Sequence, residues 1–167
     1  MHIGLPESLR KAESAARTFG LSKQTDELVD AMNRAGEAAV VEAKPLLVNA
    51  ARKMSISDAN ALLLGAQDAA TQYLKRTTSD DLAAKFLPVV KKETARVQLT
   101  QKYNKFAIKA ASSGLIDERD ADLDGYVTRR AMDGLFLMIA QQQKQIRNDP
   151  IGSGSNLLKK LFGSLTK

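Results

Sequence analysis

A chain of 167 residues, 44% hydrophobic and 26% charged, is one domain's worth with enough apolar content to bury a core, which excludes a disordered chain. No cysteine and a single histidine, the terminal His2, exclude a disulfide framework, Cys/His zinc sites, and Ser-His-Asp or Cys-His catalysis. The formal net charge of +6 and pI of about 9.6 permit an anionic partner, but the basic residues are too scattered to specify one.

Alanine, leucine, lysine and glutamine are plentiful and β-branched clusters are few, so the chain should be helical from end to end. "LPESLRKAESAARTF" places Pro6 where a first helical turn accepts it, with Gly20 as the stop. Ser22 opens a long segment in which Leu28, Met32, Ala35 and Ala39 recur at helical spacing. Pro45 should kink or divide that helix. The next helix is expected from Ser57 as N-cap, with Leu62, Ala66, Ala69 and Tyr73 on one stripe. Within it Asp68 is expected either to stand exposed near Gln72 and Lys75 or to supply a further carboxylate to the acidic loop below.

Ser79 then caps a separate helix whose Leu82, Phe86 and Val89 should face inward, with Pro88 marking a kink or break. "QKYNKFAIKAA" carries Tyr103, Phe106, Ala107 and Ala110 on one face and ends at "SSG". After the acidic segment, the run Leu135 to Ala140 is apolar all round, as suits a central helix packed on every side, and Asp149-Pro150 should end it. No alternating strand pattern appears. The expected fold is an all-α multi-helix bundle over residues 1–149. Residues 150–167 add a flexible joint, "IGSGS", and a small cationic amphipathic helix, "NLLKKLFGSL", docking on the bundle or on a neighbouring chain.

The longest apolar run is far too short to span a membrane, and the N-terminus has no signal-peptide h-region. Surface attachment through the last helix is the lesser alternative, since two lysines on a short helix bind lipid weakly. No phosphate-binding glycine motif occurs. Lys85, Lys91, Lys92, Arg96, Lys102, Lys105 and Lys109 are spread around their helices, so no nucleic-acid partner is expected.

One segment carries chemistry. Five of the eight residues from Asp117 to Asp124 are acidic in an otherwise basic chain. In "DADLDGYVTRRA", Asp120, Asp122 and Asp124 match positions 1, 3 and 5 of a calcium loop. Gly125 supplies the turn at position 6, Tyr126 a backbone carbonyl at 7, and Thr128 a hydroxyl at 9 while capping the next helix. All-oxygen ligation of this kind suits Ca²⁺, with Mg²⁺ or Mn²⁺ as alternatives.

Two departures separate the segment from an EF-hand. Ala131 stands where the closing glutamate belongs, and "SSG" leaves too few residues for an entering helix. The opposing account is an Asx-rich turn with Asp124-Gly125 at its tip.

"LPESLRK", "AKPLLVNA", "DAATQYLKRTT", "KFLPVVKK", "DADLDGYVT", "MDGLFLMIA" and "LLKKLFGSL", in that order, resemble the landmarks of a bacterial helical family known as domain-of-unknown-function family 4197. The resemblance covers nearly the whole chain. It implies a helical fold and an exported, periplasmic setting, and it implies no activity.

Three functions are consistent with the residues. The first is a cation-binding helical module in which the metal contributes folding free energy. The second uses the missing glutamate: an open coordination site activates water for hydrolysis of a phosphate ester. There Arg129 and Arg130 pair with an anionic small-molecule substrate, and Asp117 or Glu118 serves as base. The third is a carrier of apolar ligands or lipids, marked by a cavity lined by Leu, Phe and Met. Homo-oligomerisation is compatible with each.

Overall fold

The computed structural model of the chain describes residues 2–6, 22–95, 112 and 122–148. Five helices lie among them: α1 (Ser22–Val41), α2 (Ala43–Arg52), α3 (Ile56–Leu64), α4 (Ala69–Thr94) and α5 (Leu123–Asn148). The all-helical class is as the composition requires. The helices expected over residues 7–19 and 101–111 and at the C-terminus lie outside the described residues, while Pro6, expected in the first turn of the first of them, is not helical.

The stripe expected on α1 is buried: Leu28, Met32, Ala35 and Ala39 all lie in the core. Pro45 divides the long segment as expected. Its ring crowds the carbonyl four residues back, that of Val41, and α1 ends at that residue. The Glu42 N–H instead donates to the Ala39 carbonyl at 3.0 Å, and Pro45 falls in the first turn of α2, where its missing N–H leaves no partner wanting.

Three expected boundaries are corrected. The cap of α3 is Ser55, two residues before Ser57. Its hydroxyl accepts the Asp58 N–H at 3.0 Å while the Asp58 carboxylate accepts the Ser55 N–H at 3.1 Å, a reciprocal capping box. These bonds from Ser55 hold the Asp58 carboxyl below its ordinary value. The cap is therefore at full strength above the usual carboxylate range and weakens as acid protonates Asp58.

Secondly, α3 stops at Gly65, so Leu62 and Tyr73 do not share one helix. A Cβ at Gly65 would lie 2.5 Å from the Ala61 carbonyl oxygen, which explains a glycine at this close approach. Thirdly, Ser79 caps nothing. It sits inside α4, where its hydroxyl donates to the Lys75 carbonyl, as the hydroxyls of Thr77 and Thr78 donate to Tyr73 and Leu74. The hydroxyl cluster that suggests a helix start is satisfied by the helix's own carbonyls. Pro88 likewise interrupts nothing, and α4 runs through it to Thr94.

The core forms where α1, α4 and α5 meet, with α2 laid against α4. Thr78, Leu82, Phe86, Val90 and Thr94 recur every four residues along α4, and all are buried. Val89, expected to face inward, is only partly buried, and Val90 takes the inner position.

Helices α4 and α5 run antiparallel, as their end contacts show. Thr94 at the end of α4 bonds Asp124 at the start of α5, and Thr71 at the start of α4 bonds Gln143 near the end of α5. Gln143 Oε1 accepts both the Thr71 N–H (3.0 Å) and its hydroxyl (2.8 Å). It thereby caps a helix whose own N-cap residue, Asp68, makes no capping bond.

Arg147, in the last turn of α5, donates to the carbonyls of Leu62 (2.6 Å) and Gly65 (3.3 Å) at the C-terminal end of α3. A cation there meets the negative end of the helix dipole. Along α5, Leu135 and Phe136 are buried, but Leu137 is 60% and Met138 43% exposed. This corrects the expectation of a helix packed on every side. α5 ends at Asn148, directly before Asp149-Pro150.

Candidate functional site

The acidic motif is centred on the start of α5. Asp117, Glu118 and Asp120 lie outside the described residues. From Asp122 onward the chain has the geometry of a helix N-terminus. Asp122 Oδ1 accepts the Asp124 N–H at 3.2 Å, and the Asp122 carbonyl accepts the Tyr126 N–H at 2.9 Å. These are the two bonds of an N-cap residue. Asp124 then sits in the first turn, where an anion is favoured by the helix dipole. Its Oδ1 accepts the hydroxyl of the buried Thr94 at 2.6 Å, tying the start of α5 to the end of α4.

Gly125 serves close approach here. A Cβ on it would stand 2.8 Å from Asp122 Oδ2 and 3.4 Å from Arg129 Nη1. The glycine leaves room for the capping carboxylate, with the Arg129 guanidinium beside it.

The helix therefore begins at Leu123, with Asp122 and not Thr128 as its N-cap. Tyr126 and Thr128, expected as ligands at loop positions 7 and 9, lie within α5. The Tyr126 side chain is buried, and its hydroxyl donates to the Gly4 carbonyl at 3.0 Å. Thr128 is 5% exposed, and its hydroxyl has no hydrogen-bond partner. Among the described residues no three or more His, Cys, Asp or Glu side chains come together in a way that could hold a metal ion.

Asp68 stands at the other end of α4 from Thr94 and Asp124, about 40 Å away by helical rise. It is exposed and accepts from Gln72 Nε2 at 3.0 Å, the first of its two expected placements.

Thr128 offers a direct test of the helical geometry. A buried hydroxyl without a partner costs about 1–3 kcal/mol. Thr128→Val removes it at nearly constant shape and is expected to raise stability by about 1 kcal/mol, or Tm by roughly 2–4 °C in a domain of this size. A thermal melt of the metal-free protein checks this. Destabilisation would mean that the hydroxyl is engaged.

Arg129 and Arg130 line a cavity of about 340 Å³ beside α4 and α5, together with Lys75, Ser79, Tyr126, Met132, Asp133 and Phe136. Lys75, Arg129 and Arg130 contribute cations to the lining and Asp133 a carboxylate, which stands 3.9 Å from Arg130 Nη1 at the exposed rim. The volume falls in the range of small-molecule sites. Sequence reasoning placed the two arginines beside an anion but missed Lys75 and Ser79. The signal available was weak, because only the α4–α5 packing brings residues so far apart in the chain to one cavity.

The site and the fold together define an all-helical bundle domain with a cationic cavity beside two packed helices. The chain belongs to the family described as "Protein of unknown function (DUF4197)", whose model matches residues 1–163. No curated protein and no solved structure matches it. No described helix is long and apolar enough to cross a membrane.

Proposed function

We propose that the protein is a helical binding domain for a small anionic ligand with an apolar body. The observation that carries this is the cavity of about 340 Å³, lined by Arg129, Arg130 and Lys75 together with Tyr126, Met132 and Phe136. Guanidinium groups present planar donor forks that match carboxylate and phosphate oxygens, and the aromatic and thioether side chains suit the ligand's apolar portion. Phenyl phosphate combines both features. Calorimetric titration at low salt is expected to show saturable binding of phenyl phosphate, weaker binding of inorganic phosphate, and a loss of about 10- to 100-fold in Arg129→Ala/Arg130→Ala. No heat from the wild type at millimolar phenyl phosphate would remove the proposal.

A cation bound by Asp120, Asp122, Asp124, the Tyr126 carbonyl and Thr128 is the second reading. The unpartnered Thr128 hydroxyl at the ninth motif position favours it. Ca²⁺ at this place would have to unwind the first turns of α5, since the helix holds Tyr126 and Thr128 apart from a loop geometry. The expected result of adding millimolar Ca²⁺ to chelator-stripped protein is therefore a small loss of helical circular dichroism along with saturable heat. Both should be absent in Asp120→Ala/Asp122→Ala. No heat from the intact protein ends this reading, and with it metal-dependent hydrolysis through Asp117 or Glu118. A lipid-carrier role is the less specific reading of this cavity, because Lys75, Arg129, Arg130 and Asp133 stand beside its apolar wall. An exported setting, as the family resemblance implies, belongs to the proposal and would supply calcium.

A further inference from the structure

Six of the nine residues of α3 are Ile, Leu or Ala, yet none of its described side chains is buried. Asp58, Ala59 and Leu62 on one side are half-buried. The other side carries Ile56, Asn60 and Leu64, each four residues on from the last, with Ala61 beside them. Ile56 is 84% and Leu64 90% exposed. Isolated helices shorter than about 12–15 residues are marginal in water, so a helix this short depends on the packing of its faces.

The fold decides which part of the chain stands beside this face. In the last turn of α5, Arg147 donates to the Leu62 and Gly65 carbonyls, and α5 stops one residue later at Asn148. Residues 149–167 therefore leave the bundle at the C-terminal end of α3. The other stretches outside the described residues join the bundle at its opposite end. The chain between α4 and α5 does so where Thr94 bonds Asp124. Residues 7–21 follow the segment held by Asn33 and Tyr126 and lead into the start of α1. From Asn33 the chain runs through α1 and α2 to Ala50, whose carbonyl accepts the Tyr73 hydroxyl near the start of α4, so Ser22 lies at the far end as well. Along α4 the two ends are about 40 Å apart.

Length and chemistry agree with that placement. From Asn148 to Asn156 the chain reaches at most about 26–29 Å, against about 14 Å for the whole of α3. At helical spacing Leu157, Leu158, Leu161, Phe162 and Leu165 share one apolar face, with Lys159 and Lys160 on the other side. The ridge of Ile56, Asn60 and Leu64, flanked by the small Ser57 and Ala61, offers such a face a surface to pack on.

We propose that the exposed side of α3 is the docking surface for the chain's own residues 156–165. Docked there, the segment covers Ile56 and Leu64 and brings the chain back over the corner between α3 and α4. The site is independent of the cationic cavity.

The test is nuclear Overhauser spectroscopy of the intact chain with labelled isoleucine methyls and phenylalanine rings. Cross-peaks from the Ile56 methyls to the Phe162 ring are expected, unchanged on tenfold dilution, and their absence overturns the proposal. Amide exchange gives a second readout. Phe162→Asp should speed exchange along α3 by about tenfold or more and leave Leu82 to Val90 of α4 as in the wild type. Unchanged exchange along α3 overturns the proposal. Faster exchange confined to Leu137 and Met138, the exposed apolar pair on α5, would give the segment to α5 and also overturn it. Should Phe162→Asp unfold the whole domain, the wild-type cross-peaks decide alone. Cross-peaks found only between differently labelled chains would give the face to a second copy and overturn the assignment within one chain.

Discussion

Phe86→Ala is expected to lower stability by about 3–5 kcal/mol and Tm by roughly 10 °C, measured by urea and thermal unfolding. Phe86 is fully buried in the C-terminal half of α4 and clusters with Leu82, Val90, Leu123 and Val127. The ring lies where α1, α4 and α5 all meet, so the cavity left by its removal has helices on several sides and little freedom to collapse. A loss under about 1 kcal/mol would mean that the helices repack around the gap, and the three-way junction would then not be the main source of stability.

Ala35→Leu should also destabilise, for the opposite reason. Ala31, Ala35 and Ala39 on α1 are each 2% exposed or less, and Gly36 between them is buried. This row of small side chains is what allows the α1 backbone to lie close to α4 and α5. A leucine at the centre of the row must push a helix outward or take a strained rotamer, at about 1–3 kcal/mol. The exposed Ala51→Leu on α2 is the matched control and should stay within about 0.5 kcal/mol of the wild type in the same denaturant series. Equal effects at the two sites would refute the close-approach account.

The legible part of the fold was the part set by short-range periodicity. The α1 stripe of Leu28, Met32, Ala35 and Ala39 follows from helical spacing alone, and so does the division at Pro45. Pro88 shows where that logic ends. It has the same chemistry as Pro45, yet α4 continues through it, because Leu82, Phe86, Val90 and Thr94 on both sides share one buried row against the other helices. Long-range packing there outweighs one lost hydrogen bond, and no local window contains it.

The candidate site failed to read through for a related reason. Asp, Asp and Gly at the start of a helix serve capping and dipole needs with the same spacing that a calcium loop uses, so sequence alone does not separate the two. Thr94, which engages Asp124, is 30 residues away in the chain. Lys75 and Ser79 reach the cavity across a still longer gap, which is why only the arginines were anticipated.

The corner between α3 and α4 has an unusual kinetic position. Its closing bonds come from Gln143 and Arg147, 72 to 85 residues downstream. Neither helix end is therefore finished until the far end of α5 arrives, and bonds of such long sequence separation are slow to form. During refolding, α3 should remain frayed after α1 and the middle of α4 have already docked. The same dependence runs in reverse in the native state: each time the last turn of α5 lifts, two other helix termini are uncapped together, so opening at residues 62–71 is timed by a segment that does not adjoin them in the chain.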